Sequence, residues 1–123
     1  MDKRTLVSVV DDDESVRESL PDLLGELGFA VRAFNSGEAF LASEFVRQTE
    51  CLILDIAMPG MSGFDVQLEL KVRRQQIPIV FITAHRDATA RRDALGEGGV
   101  ACLLKPFSDT ALLQAIRTAL GTN

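Results

Sequence analysis

No stretch of this chain approaches the roughly 18 consecutive apolar residues that a membrane-spanning helix needs, so the sequence offers no candidate span. The start, Met1-Asp2-Lys3-Arg4, runs straight into a strand-like segment without the pattern of a secretory signal, and a cytoplasmic location is the expectation. Positive charge is in short supply: 13 Lys and Arg against 18 Asp and Glu give a net charge of −5, which argues against a broad nucleic-acid surface. Any DNA contact is expected to need another domain or partner. Cysteine is scarce too. Cys51 and Cys102 each stand inside an apolar run with no C-x-x-C companion, which predicts two reduced core residues and no disulfide. The single histidine, His85, reads as a solvated loop residue. Repeats, linkers and low-complexity segments are missing as well, and 123 residues suit one domain, 1–123, with one core.

What is present is organised around Cys51-Leu52-Ile53-Leu54-Asp55-Ile56-Ala57-Met58-Pro59-Gly60. A short apolar run ending on a carboxylate, with a Pro-Gly breaker behind it, reads as a central parallel strand covered on both faces. Asp55 would then emerge at the edge where open parallel sheets bind ligands, although a plain turn-capping role remains the alternative. Upstream, Leu6 to Val10 is a strand running into Asp11-Asp12-Asp13-Glu14. Val16, Leu20, Leu23, Leu24 and Leu27 follow at helical spacing up to Gly28, with Pro21 inside the pattern predicting a local kink. Phe29 to Phe34 alternates as a strand nearer an edge, and Asn35-Ser36-Gly37-Glu38 starts a helix carrying Ala39, Phe40, Leu41 and Phe45. After the central strand, Ser62-Gly63-Phe64-Asp65 matches a capping box, with Phe64, Leu68 and Val72 or Leu70 as the expected buried stripe. Ile77 to Thr83 is a fourth strand. Residues 87–97, with Ala88, Ala90, Ala94 and Leu95, form a weakly apolar fourth helix stopped by Gly98-Gly99. Val100 to Leu104 is a fifth strand, and Ser108 caps a last helix whose buried face is Leu112, Leu113, Ile116 and Leu120. Strand then helix, five times over, predicts an α/β fold with a parallel sheet and helices on both faces.

Four of the five apolar runs end on polar residues: Asp11 with Asp12, Asp55, Thr83 and Lys105. Parallel topology gathers all of them at one edge. Three carboxylates brought close together repel one another, and Lys105 offsets only part of that charge, so a hard divalent cation with oxygen ligands, Mg²⁺, is the expected remainder. Carboxylate, cation, ammonium and hydroxyl together meet the needs of phosphoryl transfer. In that scheme Asp55 is the nucleophile, giving an acyl phosphate. Asp12 and Asp11 hold the metal, Lys105 pairs with one phosphoryl oxygen and Thr83 hydrogen-bonds another.

Val9-Val10-Asp11-Asp12, Leu54-Asp55 through Met61-Ser62-Gly63, Ile82-Thr83-Ala84 and Leu104-Lys105-Pro106-Phe107 together resemble, across essentially the whole chain, the receiver domain of bacterial two-component response regulators. The phrases Thr83-Ala84-His85-Arg86-Asp87 and Lys105-Pro106-Phe107 with Asp109 are similar to FixJ-type receivers. The resemblance implies a flavodoxin-like sheet of five parallel strands in order 2-1-3-4-5. It implies that Asp55 takes phosphate from a sensor histidine kinase, with Asp12, Asp55 and the backbone carbonyl of Ala57 as ligands to Mg²⁺. It also implies a cis Lys105-Pro106 peptide and a readout in which Thr83 reports to the fourth helix, fifth strand and fifth helix, a face able to form a homodimer. The FixJ type usually precedes a DNA-binding output domain controlling transcription; the chain here is either a single-domain regulator or one trimmed after Asn123. Such a protein catalyses only its own phosphorylation and dephosphorylation. One departure concerns the switch: the family's usual aromatic three residues before Lys105 is Cys102. Ala57 and His85 fill the two variable positions beside the phosphoryl group. A haloacid-dehalogenase-type phosphohydrolase would want a second Asp at position 57, where Ala57 stands. A pseudo-receiver, never phosphorylated, is weighed against by the retention of Asp11, Asp12, Asp55, Thr83 and Lys105.

Overall fold

Five short strands lie side by side in the order β2-β1-β3-β4-β5: β1 (Leu6–Val10), β2 (Ala30–Phe34), β3 (Cys51–Asp55), β4 (Ile79–Thr83) and β5 (Ala101–Leu104). Every pairing is parallel. The computed structural model describes residues 4–84, 92–93, 95–96 and 98–121. The α/β architecture and strand order are those expected, with the alternating segment as the edge strand β2 and the continuous apolar runs β3 and β4 buried throughout. Because strand side chains alternate between faces, the core falls into two layers. On one face Leu52, Leu54, Phe81 and Cys102 pack with Phe40, Val66 and Leu70 from the helices α2 (Gly37–Leu41) and α3 (Gly63–Val72). On the other, Val7, Val9, Cys51, Ile53, Val80 and Ile82 pack with Leu20 and Leu24 of α1 (Glu14–Glu26) and with Leu112 and Ile116 of the C-terminal helix (Asp109–Leu120). Neither cysteine is in a disulfide, and both are buried, one in each layer.

Local chemistry explains the helix starts. Asp13, Ser36, Ser62 and Ser108 each cap a helix through a side-chain oxygen that accepts a backbone N–H. The capping box at Ser62 and Asp65 is complete, each side chain taking the other's amide. Three expectations need correction. Helix α2 stops at Leu41, short of Phe45, because the Ser43 hydroxyl donates to the Phe40 carbonyl and accepts the Phe45 amide, closing a turn of its own. Phe45 instead lies under the Arg32 guanidinium, 4.6 Å from ring centre to Cζ. In α3, Leu70 of the expected stripe is buried, with Val66 and Gln67 beside it, and Phe64 is half-buried against the core, while Leu68 and Val72 are 62% and 70% exposed. Gly63 sets that rotation: a Cβ on it would stand 2.5 Å from the Asp55 carbonyl oxygen, so the helix presses its glycine edge on the sheet. In the C-terminal helix Leu113 is only half-buried and Ala115 completes the face beside Leu112 and Ile116. Pro21 does not end α1, which runs as one thirteen-residue helix through it. Residues 92–93 and 95–96 are helical, as expected within 87–97; Ala88, Ala90 and Ala94 lie outside the described residues.

Candidate functional site

Parallel register carries the strand-end residues to one edge. Val10 pairs with Leu54, Asp55 with Ile82 and Thr83 with Leu104, so Asp11, Asp55, Thr83 and Lys105 leave the sheet together. Backbone bonds extend the sheet past its last residues: Asp11 N–H donates to the Phe34 carbonyl, Ile56 N–H to Ile82 and Lys105 N–H to Thr83, the last at 2.8 Å. The Lys105-Pro106 peptide is cis, as the resemblance implied.

Asp11 is fully buried, Asp55 is 4% exposed and Thr83 2%. Asp12 sits out on the loop, exposed, yet oxygens of Asp11, Asp12 and Asp55 all lie within 4.8 Å of one another. The Lys105 ammonium reaches between them, 2.7 Å from Asp11 Oδ2 and 3.6 Å from Asp55 Oδ2. The Asp11 Oδ1 atom accepts the amide of Asp13 at 2.9 Å, and the buried Oδ2 atom is met by the Lys105 ammonium. Burial first, then the neighbouring Asp11 carboxylate, push the Asp55 carboxyl up to about 7 against the pull of Lys105. Burial disfavours the Lys105 ammonium, but its bond to Asp11 and the charge of Asp55 outweigh that and hold its pKa above the ordinary lysine value. Three carboxylates with oxygens within 4.8 Å of one another and, among the described residues, a single ammonium to offset them fit a divalent cation with oxygen preference, Mg²⁺.

Ala57 is exposed in the turn directly after β3, which puts its backbone next to the Asp55 carboxylate's own strand end. Cys102 lies inside β5, 7% exposed, opposite Phe81 in register and within the apolar layer, not at the edge. His85 and residues 86–87 lie outside the described residues. Two participants have roles at the site that the sequence pattern does not give. Gly63 brings α3 against the Asp55 backbone, and its N–H donates to the Ile56 carbonyl at 2.8 Å. Arg17, one turn into α1, sends its guanidinium back to the Asp11 carbonyl at 3.1 Å. A half-buried arginine on a helix face is hard to distinguish from a solvated one in sequence, so nothing in the spacing singles it out.

Comparison with known proteins is consistent over nearly the full length. The profile of the family described as the response regulator receiver domain matches residues 7–117. Response regulator protein TmoT of Ectopseudomonas mendocina is 43% identical over 119 residues, covering 97% of this chain and 54% of its own. Transcriptional regulatory protein FixJ of Azorhizobium caulinodans is 38% identical over 115 residues, covering 94% and 54%. The chain therefore spans about half the length of the curated relatives it matches. Among solved structures, FixJ-N superposes with a TM-score of 0.86 at 38% identity, covering 98% of this chain and 96% of that one. Response regulator StyR gives 0.88 at 46% identity, covering 96% and 60%.

Proposed function

This chain belongs to the response regulator receiver domain family, and from that premise we propose that it is a phosphorylation-activated switch, FixJ-like, whose phosphoacceptor is Asp55. The observation that carries the reading is the geometry at that residue: a carboxylate 4% exposed at the end of the central strand, with two further carboxylates and one ammonium gathered on it. The donor is a phosphohistidine on a sensor histidine kinase. An Asp55 carboxylate oxygen attacks phosphorus, the O–P bond forms as the N–P bond breaks, and the electron pair returns to the imidazole nitrogen. Water later hydrolyses the acyl phosphate, releasing phosphate and restoring the carboxylate; the domain turns over no other substrate.

Asp11, Asp12, Asp55 and the carbonyl of Ala57 would hold Mg²⁺, which when bound neutralises charge between the carboxylates and the incoming phosphoryl oxygens. Lys105 pairs with one of those oxygens, releasing its hold on Asp11, and the Thr83 hydroxyl bonds another. The readout passes from Thr83 to the output face of the expected fourth helix, β5 and the C-terminal helix, where a homodimer forms. A thiol offers little packed area to exchange between two positions, so Cys102 stays put and coupling runs through Thr83 and the following loop. The output is transcription, through a DNA-binding domain such as the relatives named as transcriptional regulators have room for; the receiver itself touches no nucleic acid and works in the cytoplasm. Intact-mass measurement after incubation with Mg²⁺ and a small acyl phosphate tests this. The parent is expected to gain one phosphoryl group, dependent on the metal, and Asp55→Asn none; equal labelling of the Asn variant would give the role to another residue.

A further inference from the structure

We infer that Arg17 is a positioning residue for the cation site: by holding the Asp11 carbonyl from behind, it fixes the loop that presents Asp11 and Asp12 toward Asp55. The inference rests on the functional reading above and adds a residue that touches neither phosphate nor metal. Arg17 Nη1 donates to the Asp11 carbonyl oxygen at 3.1 Å. The Asp11 amide is tied to Phe34 on the neighbouring strand, so both backbone groups of this one residue are fastened, one to the sheet and one to α1. Its carboxylate is then aimed without freedom: Oδ1 takes the Asp13 amide and Oδ2 meets Lys105. Asp13 is engaged by the helix cap, accepting both the amide and the hydroxyl of Ser15, which leaves Asp12 as the loop's open carboxylate. Groups that orient ligands through a second layer of hydrogen bonds commonly control metal affinity by 10- to 100-fold.

Two effects of removing Arg17 have opposite signs, and that makes the role testable. Loss of a positive charge near three carboxylates would by itself strengthen cation binding; loss of the clamp would weaken it. Calorimetric titration of the unphosphorylated chain with Mg²⁺ separates them, using Arg17→Met, which keeps the packed stem, and Arg17→Lys, which keeps a charged donor. The Met variant is expected to bind about 10-fold more weakly, the Lys variant close to the parent, and both to melt with the parent in metal-free buffer. A Met variant that binds as tightly as the parent or tighter overturns the role, as does one whose metal-free melting falls in step with its affinity. A parent that takes no Mg²⁺ overturns the functional reading itself, and this role with it.

Discussion

The role proposed for Asp55 requires an ionised carboxylate, yet it sits where ionisation is disfavoured, with a carboxyl pushed up to about 7 by burial and by Asp11. An unfolded aspartate titrates near 4, so between about pH 4 and 7 the folded chain binds the extra proton. Metal-free stability is therefore expected to fall as pH rises through that window and to level off above it, the reverse of a salt-bridged carboxylate. Asp55→Asn removes the conflict and is expected to stabilise the metal-free chain at pH 8 by at least about 1 kcal/mol, the worth of roughly one pKa unit. Urea unfolding at pH 5 and pH 8 reads both effects; a parent more stable at pH 8 would contradict them. Lys105→Met should act in the other direction, leaving the buried Asp11 without its 2.7 Å partner at a cost of about 1–3 kcal/mol in the same assay. The residues of the site were legible because a polar side chain that closes a buried apolar run must find solvent or a ligand at the sheet's edge. Arg17 was not, since its meaning lies in a carbonyl six residues away and not in its own neighbours.

Helix α3 shows where pattern reading loses its phase. The sequence leaves Val72 and Leu70 as alternatives beside Phe64 and Leu68, because Phe64-Leu68-Val72 and Val66-Leu70 both satisfy a helical period. The tie is broken by a residue with no side chain, because only Gly63 lets the helix approach the Asp55 carbonyl. Leu70→Ala is accordingly expected to cost about 2–5 kcal/mol, and Leu68→Gln to stay within about 0.5 kcal/mol. Similar losses for the two would restore Leu68 to the buried stripe. Gly63→Ala places a methyl against backbone atoms, Asp55 O at 2.5 Å and Ile56 Cα at 3.0 Å, which cannot move aside as a side chain tip can. A loss of about 1–3 kcal/mol with slowed phosphorylation is expected from thermal melting and intact mass, since the displaced backbone is that of the proposed phosphoacceptor. Helix α2 was misjudged at its end for a related reason, Ser43 offering the backbone a turn that apolar periodicity does not register.

Over the whole molecule the sequence was most informative, because alternation of strand and helix leaves few topologies for a parallel sheet, and the unbroken apolar runs at β3 and β4 distinguish centre from edge. The two-layer core has one further result. Cys51 and Cys102 lie on opposite faces of a sheet that neither can cross, so they cannot join while the sheet is intact, and burial pushes the Cys51 thiol up to about 12. Both should be inert to a thiol reagent at pH 8 in the native state. Any slow modification then times the lifting of one cover at a time, Cys102 for the side of α2 and α3, Cys51 for the side of α1 and the C-terminal helix. With no engineered label, the chain carries a separate clock for each side, and comparing their rates with and without phosphate would tell which side of the switch loosens first.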